Sequence, residues 1–129
     1  MNTKKGFTLV ELLVVIAIIG LLSTIVLVSF GPVRNQARDT AIKANMSQMR
    51  LATEIQYANS STYVNANTRT DYLAANSAAS AAGGTTYAAN FSANAYCIKY
   101  VLPGGGNWCV DSAGYIGNKN CVVANLTCE

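Results

Sequence analysis

From Phe7 to Phe30 the chain runs for 24 residues in which aliphatic and aromatic side chains are interrupted only by glycine, a few hydroxyl residues and one carboxylate, Glu11. A helix rises about 1.5 Å per residue, so about 20 residues cross the roughly 30 Å hydrocarbon core of a bilayer, and this run is long enough to span it. A secretory signal has a shorter apolar region, about 7 to 15 residues, closed by a small-residue cleavage site. No such A-x-A-like stretch closes this run. Lys4 and Lys5 precede it and place the N-terminus in the cytoplasm by the positive-inside rule, which sends the remainder outside. Glu11 is the anomaly. A carboxylate among Leu9, Val10, Leu12 and Leu13 costs a few kcal/mol in lipid, so it requires either a partner or a path to the headgroups.

The outward topology bears on the cysteines. All four, Cys97, Cys109, Cys121 and Cys128, lie in the last third of the chain, and an even count in a small exported domain reads as a disulfide framework. A four-thiolate zinc site prefers close pairs two to four residues apart, a spacing absent here. Four cysteines allow three connectivities. Local loop closure favours Cys97 with Cys109 and Cys121 with Cys128.

Other chemistry is scarce. The chain has no histidine, six scattered acids and no glycine-rich phosphate loop, so acid–base, nucleophilic and metal catalysis lack their parts and no cofactor is implied. The net charge of +3 falls to +1 without Lys4 and Lys5, too little for nucleic-acid binding through bulk electrostatics, and Arg69, Lys99 and Lys119 are dispersed. Asp111 reads as an acceptor in the turn that follows it rather than as a calcium ligand, because no acidic cluster accompanies it. Asn90-Phe91-Ser92 and Asn125-Leu126-Thr127 match a glycosylation tripeptide that arises often by chance.

The string GFTLVELLVVIAIIGLL, Gly6 to Leu22, resembles the class III signal of type IV pilins and type II secretion pseudopilins along its whole length. The resemblance implies that prepilin peptidase, a membrane aspartyl peptidase, cuts between Gly6 and Phe7 and methylates the new amine of Phe7. It also implies that the Glu11 carboxylate neutralises the Phe7 amine of a neighbouring subunit during assembly, which supplies the partner its burial requires. An assembly ATPase and a platform protein follow by the same analogy. Many members carry a proline at the position corresponding to Val28; this chain has Gly31 and Pro32 instead, so any bend belongs near Leu27 to Pro32.

Beyond Pro32, residues 33 to 59 are rich in helix formers and continue the helix. Ile42, Met46, Met49 and Tyr57 form one apolar stripe, and Ala44, Leu51, Ile55 and Ala58 a second, roughly opposite. One stripe suits the chain's own sheet and the other suits neighbouring helices. Arg50 and Glu54, between them, have the spacing of a solvated ion pair. Residues 60 to 95, dominated by Ala, Ser, Asn, Thr and Gly, read as a weakly structured connecting loop. Tyr96 to Leu102 and Trp108 to Asp111 read as strands flanking a turn at Pro103 to Asn107, a hairpin.

The expected organisation is therefore a leader at 1–6, a transmembrane and filament-core helix at 7–30, its amphipathic continuation at 31–59, a loop at 60–95 and a disulfide-bonded antiparallel sheet at 96–129. The fold class is α+β, a long N-terminal helix packed on a small sheet. By resemblance the chain is a major pilin, a structural and non-enzymatic subunit of a homo-oligomeric helical filament. Its precursor is expected to be a single-pass protein of the cytoplasmic membrane, and the assembled filament extracellular. A secretion pseudopilin or a minor tip pilin binding DNA or a receptor are the competing readings.

Overall fold

A computed structural model describes residues 6–129, and the Met1–Lys5 part of the expected leader, with Lys4 and Lys5, lies outside the described residues. The element order is α1 (Leu9–Ser60), a 3-10 turn (Ala66–Thr68), α2 (Thr70–Ala81) and six strands: β1 (Thr85–Phe91), β2 (Tyr96–Val101), β3 (Asn107–Asp111), β4 (Ile116–Gly117), β5 (Cys121–Val122) and β6 (Thr127–Cys128). The chain falls into two units, one ending at Arg34 and the other Asn35–Glu129. The helix continues through Gly31 and Pro32, so the proline removes one backbone donor without ending it.

Among the described residues, the first unit consists of α1 up to Arg34 and the three residues before it. From Phe7 to Val28 every side chain is exposed, and α1 is the one described helix long and apolar enough to cross a membrane.

The second unit is the head, built in three layers. The middle layer is an antiparallel sheet in the order β1-β2-β3-β4. The β2–β3 hairpin forms as its alternating aromatic and β-branched residues require, with Ile98 opposite Val110 and Tyr100 opposite Trp108. Successive side chains of a strand face opposite sides. Tyr96, Ile98 and Tyr100 accordingly enter one core with Ile42, Met46, Met49 and Ala52 of α1 and Tyr72, Ala75 and Ala79 of α2. Cys97 and Cys109 enter a second, smaller cluster with Cys128, Cys121, Tyr115 and Leu126. The β5–β6 ribbon thus covers the sheet face that the helices leave free.

The stripe Ile42, Met46, Met49 is fully buried, as expected, while Tyr57 at its end stays partly exposed and stacks on Tyr63 at 4.5 Å between ring centroids. The second stripe, Ala44, Leu51, Ile55 and Ala58, faces solvent. Local contacts fix the helix on the sheet. Lys43 lies over the Trp108 ring, and the Gly104 amide donates to Asp39 Oδ1 at 2.9 Å. A Cβ at Gly104 would meet that Asp39 carboxylate, so a side chain there would require the carboxylate to shift.

Three expectations are corrected. Residues 60–95 are not a loop: they hold the 3-10 turn, α2 and β1. The buried face of α2 is Tyr72, Ala75 and Ala79, and alanine is both the best helix former and too small to give a visible amphipathic pattern. Glu54 is not a solvated partner of Arg50, since it accepts hydrogen bonds from Tyr96 Oη at 2.9 Å and Tyr63 Oη at 3.2 Å. The cystines are Cys97–Cys121 and Cys109–Cys128, not the local pairs. The register explains this: Cys97 sits opposite Asp111 and Cys109 opposite Lys99, so the two hairpin cysteines are diagonal rather than facing. Diagonal Cα atoms are about 7 to 8 Å apart, beyond the usual disulfide reach of about 4.4 to 6.8 Å.

Candidate assembly surface

The site residues expected from the sequence divide between the two units. Gly6, Phe7 and Glu11 stand at the exposed start of the first, and the four cysteines in the head.

At the start of α1, Thr8 is the residue before the first helical one and Glu11 lies three further on. The Thr8 amide and hydroxyl both donate to Glu11 Oε2 at 2.8 Å, and the Glu11 amide donates back to Thr8 Oγ1 at 3.3 Å. This is a capping box, in which two otherwise orphaned helix-start amides satisfy each other's side chains. Thr8 is a site residue beyond those expected from the sequence, and its signal is local: Thr-x-x-Glu before an apolar run is the signature of such a box. Glu11 therefore has a partner within its own chain through one oxygen. Oε1 accepts no hydrogen bond among the described residues.

Around and beyond the cap, seventeen large apolar side chains from Phe7 to Phe30 are exposed. Fully burying each is worth about 1.5 to 3 kcal/mol, so the segment cannot remain in water and needs lipid or other chains on every side. In the head, the outward stripe adds Leu51 and Ile55, and Leu51 lines a shallow groove with Ser47, Arg50, Glu54 and Ile116.

The rest of the head is built for rigidity. Asp111 is buried at 2% exposure, accepts the Tyr115 amide on Oδ1 at 2.9 Å and thereby closes the β3–β4 turn, as its turn reading required. Its other oxygen, Oδ2, accepts the Cys128 amide at 2.8 Å, a contact no local pattern announced. Burial, then a hydrogen bond with Tyr87, pushes the Tyr72 phenol well above its ordinary range; burial, then Glu54, does the same to Tyr96. Of the two glycosylation tripeptides, Asn90 lies in β1 with its amide against Cys121 Sγ, and Asn125 lies in the exposed β5–β6 turn. No group of three or more potential metal ligands occurs among the described residues.

Comparison with known proteins agrees with this architecture. Residues 1–27 match the family model described as the prokaryotic N-terminal methylation motif. The chain is 32% identical over 108 residues to the type IV wide pilus major component PilA4 of Thermus thermophilus, covering 84% of this chain and 81% of that protein. It is 37% identical over 54 residues to the type IV major alpha-pilin of Moraxella bovis, covering 42% of this chain and 34% of that one. Fimbrial protein Q of the same organism shows the same identity over the same length. No solved structure matches the chain. With a methylation motif at its start, an unpartnered apolar helix behind it and a relative aligned over most of both lengths, the chain belongs to the type IV pilin family.

Proposed function

We propose that the chain is the major structural subunit of a type IV pilus-like filament. It is held in the cytoplasmic membrane by Phe7–Phe30 until prepilin peptidase cuts between Gly6 and Phe7 and the new amine is methylated. Subunits then exchange lipid for one another, and the same apolar surface becomes the filament core. The observation that carries this reading is the uniform exposure of the N-terminal helix in a chain whose head has a complete core of its own. Similarity to PilA4, a major component of its pilus, favours the major subunit over a pseudopilin.

Glu11 links membrane residence to assembly. In the separate chain one carboxylate oxygen is satisfied by Thr8, which lowers the cost of carrying it into lipid. The second oxygen is free to accept from the Phe7 amine of a neighbour, and that pairing compensates both charges in a medium where either alone is costly. An ATPase and a platform protein supply the work of extraction. The outward stripe of Ala44, Leu51, Ile55 and Ala58 then packs against adjacent subunits.

Intact-mass measurement of sheared filaments tests the processing step. The expected mass is that of a chain beginning at Phe7 with one added methyl group and two disulfides. Filaments whose subunit retains Met1 overturn the reading.

A further inference from the structure

The four cysteines pose a selection problem that the fold solves in an unobvious way. Cys121 and Cys128 are directly opposite in the β5–β6 ribbon. The adjacent pair, Asn120 and Glu129, exchanges both main-chain hydrogen bonds, at 2.9 Å each, so Cys121 and Cys128 form the next, non-hydrogen-bonded pair. Cα atoms of such a pair are about 4.5 Å apart with side chains close, a separation a disulfide can bridge. Yet each cysteine bonds across the layer instead, Cys121 to Cys97 and Cys128 to Cys109. The nearest thiol in the ribbon is refused.

Asp111 sits where this choice is made. Its Cα partner in the sheet is Cys97, and Cys109 lies two residues before it on the same strand, so its side chain shares the face that carries both. Its carboxylate grips the Cys128 amide, while the other oxygen is anchored by the Tyr115 amide. No cation neutralises it: the described ion pairs within 4 Å comprise only Arg69–Asp71. A buried carboxylate without a counter-ion is costly, and the amides of Tyr115 and Cys128 are what offset that cost here.

The geometry points to Asp111 as the residue that directs disulfide pairing: by holding the Cys128 main chain against the sheet it delivers that thiol to Cys109 and denies it to Cys121 and Cys97. Once Cys128 is committed, Cys121 and Cys97 are left for each other. Each bridge forms as two thiols pass their protons and two electrons to a disulfide oxidant, which leaves as two thiols. Asp111 takes no part in that exchange and acts as a positioning residue.

The test is oxidative refolding of the detergent-solubilised full chain, reduced and denatured and then returned to a glutathione redox buffer. Trypsin cuts after Lys99 and Lys119, so the interlayer pairing joins three peptides, whereas the local pairing releases residues 120–129 closed on themselves. A chymotryptic cut after Leu126 separates the third connectivity. Mapping reads the bonds whether or not the head refolds. Asp111→Ala is expected to raise the ratio of mispaired to native product about tenfold, the change that loss of a hydrogen bond to a charged group corresponds to. Asp111→Asn should mispair as well, because its amide nitrogen would turn a donor toward one of the two amides. Ile98→Ala weakens the head from the opposite face of β2 and should keep the wild-type ratio. Native pairing at the wild-type ratio in Asp111→Ala overturns the proposal, and so does equal scrambling in Ile98→Ala, which would make overall stability the selector.

Discussion

The two halves of α1 are continuous in backbone and opposite in what they lack. Up to Phe30 the helix is apolar on all sides and, within the chain, buries none of its described side chains. From Asn35 onward it is two-faced, with Ile42, Met46, Met49 and Ala52 inside the head and Leu51 and Ile55 outside. A uniformly apolar helix is stable only where its whole surroundings are apolar, whereas a striped one is satisfied by a single sheet. The first half therefore depends on an environment supplied by lipid or by other subunits, and the second carries most of its environment with it. Glu11 is the one acidic or basic side chain in residues 7–30 of the dependent half.

The strongest way to break this contrast is at Glu11. On the proposed pairing, Glu11→Ala would leave each incoming Phe7 amine uncompensated, a penalty of about 3 to 5 kcal/mol for one partner of a buried pair. Filaments sheared from cells should fall at least tenfold while membrane abundance and leader cleavage stay near normal. Glu11→Gln sharpens the point, because glutamine can still close the capping box with Thr8 but carries no charge. Filament yield restored by Gln would assign Glu11 to helix capping alone.

A second comparison sets the two stripes of the head against each other. Met46→Ala should destabilise the head by about 2 to 5 kcal/mol, because it opens a cavity in a fully packed core. Leu51→Ser, on the outward face, should change head stability by no more than about 0.5 kcal/mol and still reduce filament yield. Chemical denaturation followed by near-ultraviolet circular dichroism measures the first pair of effects, and shearing the second. Equal destabilisation by both would mean that the outward stripe is packed within the subunit.

The smallest effect concerns pH. Tyr72 and Tyr96 are held protonated, chiefly by burial, so their folded pKa values lie above the ordinary 10.0. Their stabilisation is fully present below about pH 10 and is lost progressively as pH rises from there toward the higher folded values, by about 1.4 kcal/mol per pH unit for each phenol, since the unfolded chain ionises first. The head should thus keep its denaturation midpoint from about pH 7 to 9 and lose it steeply above 10. Tyr72→Phe should make the fall shallower; an unchanged slope would show that Tyr72 reaches water.

Several elements were legible because their signal is local and strong. The apolar run shows in its length, and the two stripes of the helix after Pro32 and the β2–β3 hairpin each repeat a period that elementary packing demands. Helix α2 and strand β1 escaped because Ala, Ser and Asn carry little contrast between faces; Tyr72 and Phe91 become informative only when their ring centroids are seen 5.8 Å apart across the core. The capping role of Thr8 is legible in the Thr-x-x-Glu spacing alone, within an otherwise apolar string.

By itself the sequence determined where the chain needs lipid or company, since hydropathy, length and a lone carboxylate are properties of a single segment. The even count and clustering of the cysteines also pointed to a disulfide framework, which the head contains. Which cysteines pair, and what satisfies Glu54 and Asp111, was decided only by tertiary structure. Those outcomes depend on strand register and on the laying of β5–β6 over the sheet, and both bring together residues far apart in sequence, Glu54 with Tyr96 and Asp111 with Cys128. A local loop is entropically the easiest to close, but once the sheet sets Cys97 and Cys109 on a diagonal, geometry outweighs proximity along the chain.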